Sequence, residues 1–587
     1  MFKPNRFTSL YPRFVRHFTK YPPTMVLSKH IDAYDLEYEL LRDSHKVKLT
    51  SDEFNDEYNS SKLVPRYVIP EKSASEGDIY KYLNQELALD GIPTLNLASF
   101  VNTYVDEHQK KLAVENLTKN LADNDEYPSL IDIQNRCVTM LSNLWHAPHK
   151  TDPKTGAKIV NSLGTATTGS SEAIMLAGLA LKKRWQEKRR AEGKSTEKPN
   201  ILMATCAQVA LEKFAVYFDV ENRLIPINPE SGHLIDTTKI KENVDENTIG
   251  IFVIMGSTFT GAFEPVVEIS KILDEVEKEK GLNIRIHVDG ASGGFVAPFA
   301  FPHLKWDFAV DRVDSINTSG HKFGMTSVGL GWVIWKDESL LPKELRFSLD
   351  YLGGVEETFG LNFSRPGFPV ILQYYNFLSF GKEGYTKIFD GCLSNARLLS
   401  NYLDKSTYFD VVSVIHKSAT PEEQKKLYTR EVKHLPSLTV NESFQPGLPV
   451  VAFRFSKEVR DKYPEIPQEL FSTLLRKRGF IVPNYHLPPD ETNVEILRVV
   501  VRNSLSLALL EKLIEDCTDI IELLVKSAES VREILSNKEE ASEHNTSTIH
   551  DLLLSIASGG LQPIRQKQHE RDGHKAGVAK KSYRGTC

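Results

Sequence analysis

Short apolar runs alternate with segments of helical periodicity between about residues 160 and 340, and this alternation constrains the fold more than any other feature. Helices predicted over residues 171–191, 208–218 and 266–280 alternate with the strands NILMATC, IGIFVIM and IRIHVD, and Gly281 is predicted to end the third helix. Such alternation predicts parallel strands joined by helices, and runs that are apolar on both faces indicate a sheet covered on both sides. Ligands in such sheets bind beyond the carboxyl ends of the strands.

A second, smaller α/β unit is predicted from about residue 430. It comprises the strand LPVVAFRF, a helix over residues 466–477, the strands FIVP and ILRVVVR, and a long helix over about residues 505–526. A helical connection over residues 369–404 joins the two units. We expect an N-terminal arm over 1–75, a helical segment over 76–150, a large domain over 151–400, a small domain over 401–535, and a tail over 536–587 with a short amphipathic helix and disorder.

The charge and cysteine content disfavour several kinds of partner. The net charge of −6 comes without a basic block suited to nucleic acid, and no stretch approaches the roughly 20 apolar residues of a membrane helix. The five cysteines are scattered as in proteins with reduced thiols, and no metal site is expected. Residues 1–29 carry six Lys or Arg and no acidic residue, which predicts a disordered basic arm with an organelle-targeting peptide as the alternative. The expected location is therefore cytoplasmic, and the alternative is mitochondrial.

Two segments that follow strands carry groups suited to one reaction. In SINTSGHKFG, Lys322 lies just past a strand beside His321, where burial lowers the pKa of an amine and favours Schiff-base formation with an aldehyde. In HVDGASGGF, Asp289 ends a strand before small residues, so a flat ligand can approach and its pyridine nitrogen can stay protonated beside the carboxylate. The ordinary alternatives are a solvated lysine and a turn-capping aspartate. Because Lys322 and Asp289 both fall at predicted strand ends of one sheet, Schiff-base chemistry is favoured over these alternatives.

The segment TTGSSEAIM predicts an anion site. Gly169, Ser170 and Ser171 precede an amphipathic helix, so backbone N–H groups, the helix dipole and two hydroxyls are available to hold a phosphate. A simple helix N-cap assisted by Glu172 is the alternative. Together with a lysine that can form a Schiff base and a carboxylate that can pair with a ring nitrogen, this segment would supply the phosphate site of a single ligand.

Several motifs in chain order resemble those of the glutamate decarboxylases, the fungal form in particular, within the group II pyridoxal-phosphate-dependent decarboxylases. They are GSSEA, HVDGASGGF, SGHKFG, GWVIW, LNFSRP and RGTC, and the similarity runs from about residue 80 to about 530. The resemblance implies a type I aminotransferase-like α/β fold, in which a large domain with a mostly parallel, helix-covered sheet is joined to a smaller C-terminal α/β domain. It also implies pyridoxal 5'-phosphate as cofactor, a homodimer or larger homo-oligomer, and conversion of L-glutamate to 4-aminobutyrate and CO₂.

The same resemblance implies roles for individual residues. Lys322 would bind the cofactor as a Schiff base, and Asp289 would pair with the ring nitrogen. The residues implied to contact the cofactor are Ser170, Ser171, Gln208, Thr258, Asp289, Ala291, Ser319, His321 and Lys322, with Ser364 reaching the phosphate of the neighbouring subunit. Gln208 favours glutamate as substrate, because relatives that act on aromatic amino acids or histidine carry a histidine there. Tyr351, beside two glycines in SLDYLGGVEETFG, would return a proton to Cα, and buried packing is its alternative.

The substrate carboxylates need two anion sites. The resemblance assigns the α-carboxylate to Arg498 in ILRVVVR, whose guanidinium suits a carboxylate, although a strand arginine in a salt bridge is the alternative. It assigns the side-chain carboxylate to Ser99 and Phe100 in NLASF, together with Asp123. Other members carry threonine at the position of Ser99, so the hydroxyl is kept and one methyl group is missing.

The C-terminal tail and two other functions complete the expectations. Apolar residues recur at helical spacing over 549–556 before a basic end, which favours a helix packed on its own dimer. Calmodulin is a less favoured partner, because the plant relatives that bind it carry a tryptophan in the tail and this chain has none there. The alternatives for function are another amino-acid decarboxylase or lyase on the same fold, and a catalytically silent scaffold.

Overall fold

The computed structural model describes residues 69–70, 73–152, 154–160, 162–349, 356–428 and 438–536. The chain divides into two units, residues 1–91 and 92–587. In the first unit, helix α1 (Glu76–Leu87) has two acidic residues in its first turn, which suits the helix dipole, and it buries none of its side chains. Tyr351, the predicted basic arm and the tail beyond residue 536 lie outside the described residues.

A seven-stranded sheet is the centre of the second unit. Its spatial order is β3-β9-β8-β7-β6-β4-β5. The strands are β3 (Leu163–Thr167), β4 (Asn200–Ala204), β5 (Glu221–Ile225), β6 (Thr248–Ile254), β7 (Ile286–Asp289), β8 (Val313–Thr318) and β9 (Gly331–Trp335). Two small two-stranded sheets lie outside this sheet. They are formed by β1 (His149–Thr151) with β2 (Lys158–Val160) and by β10 (Phe347–Leu349) with β11 (Glu356–Thr358). β9 is antiparallel to both of its neighbours, and the other strands run in one direction. The predicted mostly parallel sheet is confirmed.

Helices connect strands of this sheet, as the alternation predicts, and others precede or follow it. They are α2 (Glu107–Glu115), α3 (Pro128–Leu144), α4 (Ser170–Ala191), α5 (Val209–Tyr217), α6 (Ile240–Asn243), α7 (Val266–Lys280), α8 (Gly293–Ala300) and α9 (Phe368–Lys405). α7 has the predicted bounds and ends at Gly281, whose φ of 69° is accessible to glycine at little cost. α9 is the predicted connection, and it is broken by non-helical geometry at Gly381. β6, β7 and β8 are buried along their whole length, as strands covered on both faces must be.

A four-stranded antiparallel sheet forms the smaller α/β part, in the order β12-β13-β15-β14. It comprises β12 (Phe409–Val411), β13 (Val450–Phe455), β14 (Asn484–His486) and β15 (Glu495–Val500), with helices α10 (Pro421–Leu427), α11 (Lys457–Lys462), α12 (Gln468–Lys477) and α13 (Leu507–Ser536). This sheet and its helices enclose their own cluster of buried apolar side chains. Within the described ranges, no helix is both long and apolar enough to cross a membrane.

The prediction that FIVP, residues 480–483, forms a strand of this sheet is wrong. Ile481 instead exchanges backbone hydrogen bonds with Leu95 and Leu97, at 3.0 and 2.9 Å. The strand β14 begins only after Pro483, which has no N–H to donate to a ladder. A remote segment of chain therefore takes the backbone groups that the local sequence offered to the sheet.

Candidate active site

The predicted cofactor residues meet at one edge of the large sheet. They follow the carboxyl ends of β3, β4, β6, β7 and β8, where the topology predicts a ligand site. A cavity of about 300 Å³ opens there. Its lining includes Ser170, Ser171, Gln208, Thr258, Asp289, Ala291, Ser319, His321 and Lys322. Nine of the ten residues predicted to contact a cofactor thus come together in one chain, and Ser364 does not line the cavity.

Lys322 lies in the connection between β8 and the antiparallel β9, and its side chain is half-buried. Burial lowers the pKa of its amine, while the charge of Asp289 opposes that shift and the charge of Arg498 adds to it. The lysine is therefore not the solvated, inert amine of the alternative interpretation. Its amine is poised to lose its proton and act as a nucleophile.

The connection that carries Lys322 is held by side chains of α9, which the sequence did not single out. Gln373 and Asn376 donate to the carbonyl oxygen of Gly324, at 3.1 and 3.2 Å, and the Tyr385 hydroxyl donates to the same atom at 3.1 Å. A Cβ at Gly324 would lie 2.8 Å from Gln373 Oε1 and 2.6 Å from a backbone oxygen, so the close approach requires glycine. The helix thereby fixes the backbone next to the lysine.

Asp289 is buried at the end of β7 and belongs to a hydrogen-bonded chain. Its Oδ1 accepts from Asn317 Nδ2 at 2.9 Å and from the Ala291 N–H at 3.1 Å. His287 Nε2 lies 2.8 Å from Asn317 Oδ1, and its Nδ1 lies 2.8 Å from Ser315 Oγ. Burial raises the pKa of Asp289, and the Asn317 hydrogen bond and the charge of Lys322 oppose that shift. Asp289 caps the local turn, as the alternative held, yet only Oδ1 is engaged among the described residues.

The N-terminus of α4, where an anion site is predicted, lines the cavity. The first N–H groups of a helix have no acceptor within it, and Ser170 Oγ lies 2.7 Å from Ser319 Oγ. Both carboxylate oxygens of Glu172 are engaged: Oε2 accepts from the N–H and hydroxyl of Thr168, and Oε1 accepts from the N–H of Asn362. Burial and the nearby charge of Lys322 lower the pKa of His321 to about 4, so this imidazole is neutral above that pH.

Gln208 and Thr258 follow β4 and β6, which lie on the same side of the lysine's strand β8. Gln208 is the N-cap of α5, and its Oε1 accepts from the Ala210 N–H at 2.7 Å. The carbonyl oxygen of Thr258 accepts from Arg498 Nη1 at 2.7 Å. Gln208 lines the cavity, and its Nε2 has no acceptor among the described residues, whereas Thr258 contributes by fixing an arginine.

Arg498 and Phe100 stand beside the lysine. The Phe100 ring centroid lies 5.6 Å from Lys322 Nζ and 4.8 Å from Arg498 Cζ. Arg498 on β15 is 9% exposed, its Nη2 donates to the Ala98 carbonyl, and its Nε is buried without an acceptor. The predicted alternative of a salt bridge is wrong for the described residues, since none of their carboxylates pairs with Arg498.

Asp123 and Ser364 lie together at another place. Ser364 is exposed, and Asn120 Nδ2 donates to its Oγ at 3.4 Å. Asn120 also contacts the Asp123 backbone and accepts from the Arg365 N–H. Asp123 is half-buried and does not line the cavity. The structure thus brings these two predicted residues to one place beside Asn120, and neither lines the cavity of its own chain.

The cavity fits pyridoxal phosphate. A free carboxylate oxygen of Asp289 suits a protonated ring nitrogen, the α4 N-terminus suits a phosphate, and Lys322 lines the same cavity as both. A Cβ at Gly169 would lie 3.3 Å from His321 Cε1, so glycine leaves the mouth of the anion site open. In the part of the chain that the structure describes, no cluster of His, Cys, Asp and Glu is placed to bind a metal ion.

Comparison with known proteins places these observations in a family. Residues 79–421 match the model described as the pyridoxal-dependent decarboxylase conserved domain. The chain is 46% identical over 549 residues to a glutamate decarboxylase of Saccharomyces cerevisiae, a match that covers 90% of this chain and 91% of that relative. It is 43% identical over 458 residues to a glutamate decarboxylase of Solanum lycopersicum, which covers 78% and 83% of the two chains.

Solved structures agree with the sequence matches. A glutamate decarboxylase of Lactobacillus brevis has a TM-score of 0.69 and 34% identity, and the match covers 78% of this chain and 95% of that one. A sphingosine-1-phosphate lyase of Burkholderia pseudomallei has a TM-score of 0.60 at 19% identity, which shows a shared fold alone.

Proposed function

Because the chain belongs to the pyridoxal-dependent decarboxylase family, we propose that its site removes the α-carboxylate of L-glutamate as CO₂ and yields 4-aminobutyrate. One observation carries the choice of substrate. Two anion-binding features, the Arg498 guanidinium and the backbone around Ser99 and Phe100, adjoin the same lysine. A substrate with two carboxylates and an α-amino group needs this arrangement, whereas a monocarboxylate would leave one feature unused.

The chain's own groups bind and orient the reactants. When bound, pyridoxal phosphate supplies a protonated ring that accepts the electron pair left on Cα after CO₂ departs. Lys322 provides the amine that holds the cofactor's aldehyde carbon, and burial favours its neutral, nucleophilic form. Asp289 keeps a proton on the ring nitrogen through its negative charge. Asn317 steadies that charge by donating to Oδ1.

Arg498 orients the bond that breaks. Its Nη1 and Nη2 are held by the carbonyl oxygens of Thr258 and Ala98, so the guanidinium is fixed in place, and its buried Nε remains available as a donor. A carboxylate bound there is held relative to the ring, which decides whether the Cα–carboxylate bond is aligned for cleavage. Gln208 adds an amide donor from the other side of the cavity.

The side-chain carboxylate is assigned to the backbone at Ser99 and Phe100. Within the described ranges, the N–H groups of these two residues have no hydrogen-bond acceptor. Successive free N–H groups form a concavity that binds anions. Ser99 Oγ accepts from the Val101 N–H at 3.1 Å, and its own proton remains for a ligand oxygen.

We also propose a homodimer in which Ser364 and Asp123 serve the site of the partner. Their joint position beside Asn120 and their absence from the lining of their own cavity support this arrangement. Sedimentation equilibrium gives the oligomeric state. Co-expression of Lys322→Ala and Ser364→Ala chains should produce hybrid dimers with one intact site. Activity no greater than that of the separate variants would refute a shared site.

For location we propose the cytoplasm, with mitochondria as the alternative. The four described cysteines, Cys137, Cys206, Cys392 and Cys517, are buried free thiols, which suits a reducing compartment. Cell fractionation with antibodies to the native protein separates the two locations. Recovery in the mitochondrial fraction would refute the cytoplasmic proposal.

The decisive experiment compares substrates with purified protein saturated with pyridoxal phosphate. CO₂ release is measured from glutamate, aspartate and tyrosine side by side, and we expect turnover of glutamate. Turnover of aspartate or tyrosine alone would assign the chain to another decarboxylase, and no turnover by a cofactor-bound protein would favour a scaffold. Borohydride reduction followed by peptide mapping should label Lys322.

A further inference from the structure

A second buried arginine, Arg502, holds the backbone that carries Ser99 and Phe100. It follows β15 and is 6% exposed. Its Nη1 donates to the Val101 carbonyl at 2.7 Å, and its Nη2 donates to the carbonyls of Asn96 at 2.6 Å and Pro93 at 3.1 Å. One guanidinium thus fixes both ends of residues 93–103, hereafter the 93–103 segment.

The charge of Arg502 has no acidic partner among the residues that the structure describes. Burial lowers its pKa to about 10, which leaves the guanidinium charged at neutral pH. A buried cation that binds only neutral carbonyls costs free energy, since nothing of opposite charge compensates for its lost hydration. A dicarboxylate bound at the 93–103 segment would supply that compensation.

Three other carbonyls of the segment are also engaged. Leu95 O accepts from Ile481, and Leu97 O accepts from the Val500 N–H at 2.9 Å. The carbonyl of Ala98 accepts from Arg498. These contacts hold the segment on both sides of its turn, where the N–H groups of Ser99 and Phe100 have no acceptor among the described residues. The segment therefore offers N–H donors to a ligand.

We propose that Arg502 is a positioning residue that sets the affinity and selectivity of the site for the substrate's side-chain carboxylate. This inference rests on the proposed function. Arg502 touches no reacting atom. It acts by holding the 93–103 segment so that the N–H groups of Ser99 and Phe100 converge, and its positive charge lies behind them.

The test is a kinetic comparison of Arg502→Met with the wild-type holoenzyme. Loss of a binding group that acts equally in ground and transition states raises KM and spares kcat. We expect the KM for glutamate to rise roughly tenfold or more, with kcat changed less than about threefold. The inhibition constant of L-norvaline, which has the same carbon chain without the side-chain carboxylate, should stay within about twofold.

Arg397→Met is the matched control. Arg397 is also buried, and it donates to the Ile415 carbonyl and to Asn441, away from the 93–103 segment. Its loss should lower stability without changing the KM for glutamate. If Arg502→Met is insoluble, Arg502→Lys keeps the charge but loses the planar fork, and a rise in KM of roughly threefold or more is then expected.

A double-mutant cycle with Ser99→Ala tests whether Arg502 acts through the segment. Because both residues would serve one subsite, the KM of the double variant should rise by less than the product of the rises seen in the two single variants. The proposal is overturned if the KM for glutamate and the inhibition constant of norvaline rise together, if only kcat falls, or if the two effects multiply independently. Absence of glutamate turnover by the wild type would instead refute the proposed function.

Discussion

Substitution of Asp289 by Asn removes one charge from the candidate site and changes little else. The amide has the shape of the carboxylate, and its oxygen can still accept from Asn317 Nδ2 and from the Ala291 N–H, at 2.9 and 3.1 Å in the native chain. The oxygen that faces the cavity becomes an NH₂ group. In the variant, a protonated ring nitrogen faces a neutral donor, whereas in the wild type it faces a negatively charged acceptor.

The size of the effect follows from the burial of Asp289, which is 4% exposed. Two opposite unit charges in hydrogen-bond contact, about 3 Å apart, attract each other by about 5 kcal/mol at an effective dielectric constant of about 20. Each 1.36 kcal/mol of lost transition-state stabilisation costs about tenfold in rate. We therefore expect kcat for glutamate to fall by about 10³- to 10⁴-fold in Asp289→Asn.

The assay measures CO₂ release at saturating glutamate, after a titration has shown that the variant is saturated with cofactor. Asp314→Asn is the matched control, because Asp314 is an equally buried aspartate on the adjacent strand β8 that pairs with Arg184 and Arg285 outside the cavity. It should lose stability and keep its kcat. A cofactor-saturated Asp289→Asn enzyme within tenfold of the wild-type kcat would refute the assigned role of this charge.

Three further outcomes are expected. Lys322→Ala should abolish both the borohydride-trapped label and turnover, and retained turnover would mean that another amine holds the cofactor. Arg498→Met should move the pH at which the lysine-bound cofactor changes colour upward, because the Arg498 charge lowers the pKa at Lys322; an unchanged titration would show that the two groups do not interact. Burial lowers the pKa of His287 to about 4. As the pH falls below about 6.5, the His287 imidazole therefore takes up a proton in the unfolded chain before it does so in the folded chain. The free energy of unfolding should consequently drop by about 3 kcal/mol between about pH 6.5 and pH 4. Urea titrations should show a smaller drop for His287→Gln, and equal drops would contradict this cause.

The large sheet was predictable because the local sequence of each strand shows where it begins and ends. β6 and β7 are short, fully buried and separated by a helix with a glycine stop, so the alternation of strand and helix patterns locates them. The failure at FIVP has the opposite cause. Ile481 pairs with Leu95 and Leu97, nearly four hundred residues earlier in the chain. A local pattern shows that a segment is extended, but it does not show which partner will take its hydrogen bonds.

The site was predictable where chemistry requires an unusual residue at a strand end. Lys322 and Asp289 stand out for that reason, whereas Asn317 and His287 lie within strands and look like ordinary core residues. Their importance arises only from pairing: β7 and β8 are parallel, and the register places Asn317 opposite Asp289. The role of Arg502 is equally hidden in the sequence, because an arginine after a strand is common. Its carbonyl partners lie in the remote 93–103 segment.

The two parts of the site are built by separate parts of the chain, and this separation bears on how a substrate is chosen. The groups assigned to the cofactor follow strands of the large sheet, whereas those assigned to the substrate's carboxylates lie on the 93–103 segment and on β15 of the small sheet. The motifs around Lys322 and Asp289 therefore indicate a cofactor and a class of chemistry, but they carry little information about the substrate. That information lies in the backbone geometry of the segment, which depends on two buried arginines. A sequence that kept every cofactor motif and Arg498 but lost Arg502 would be expected to keep the chemistry and bind a different acid.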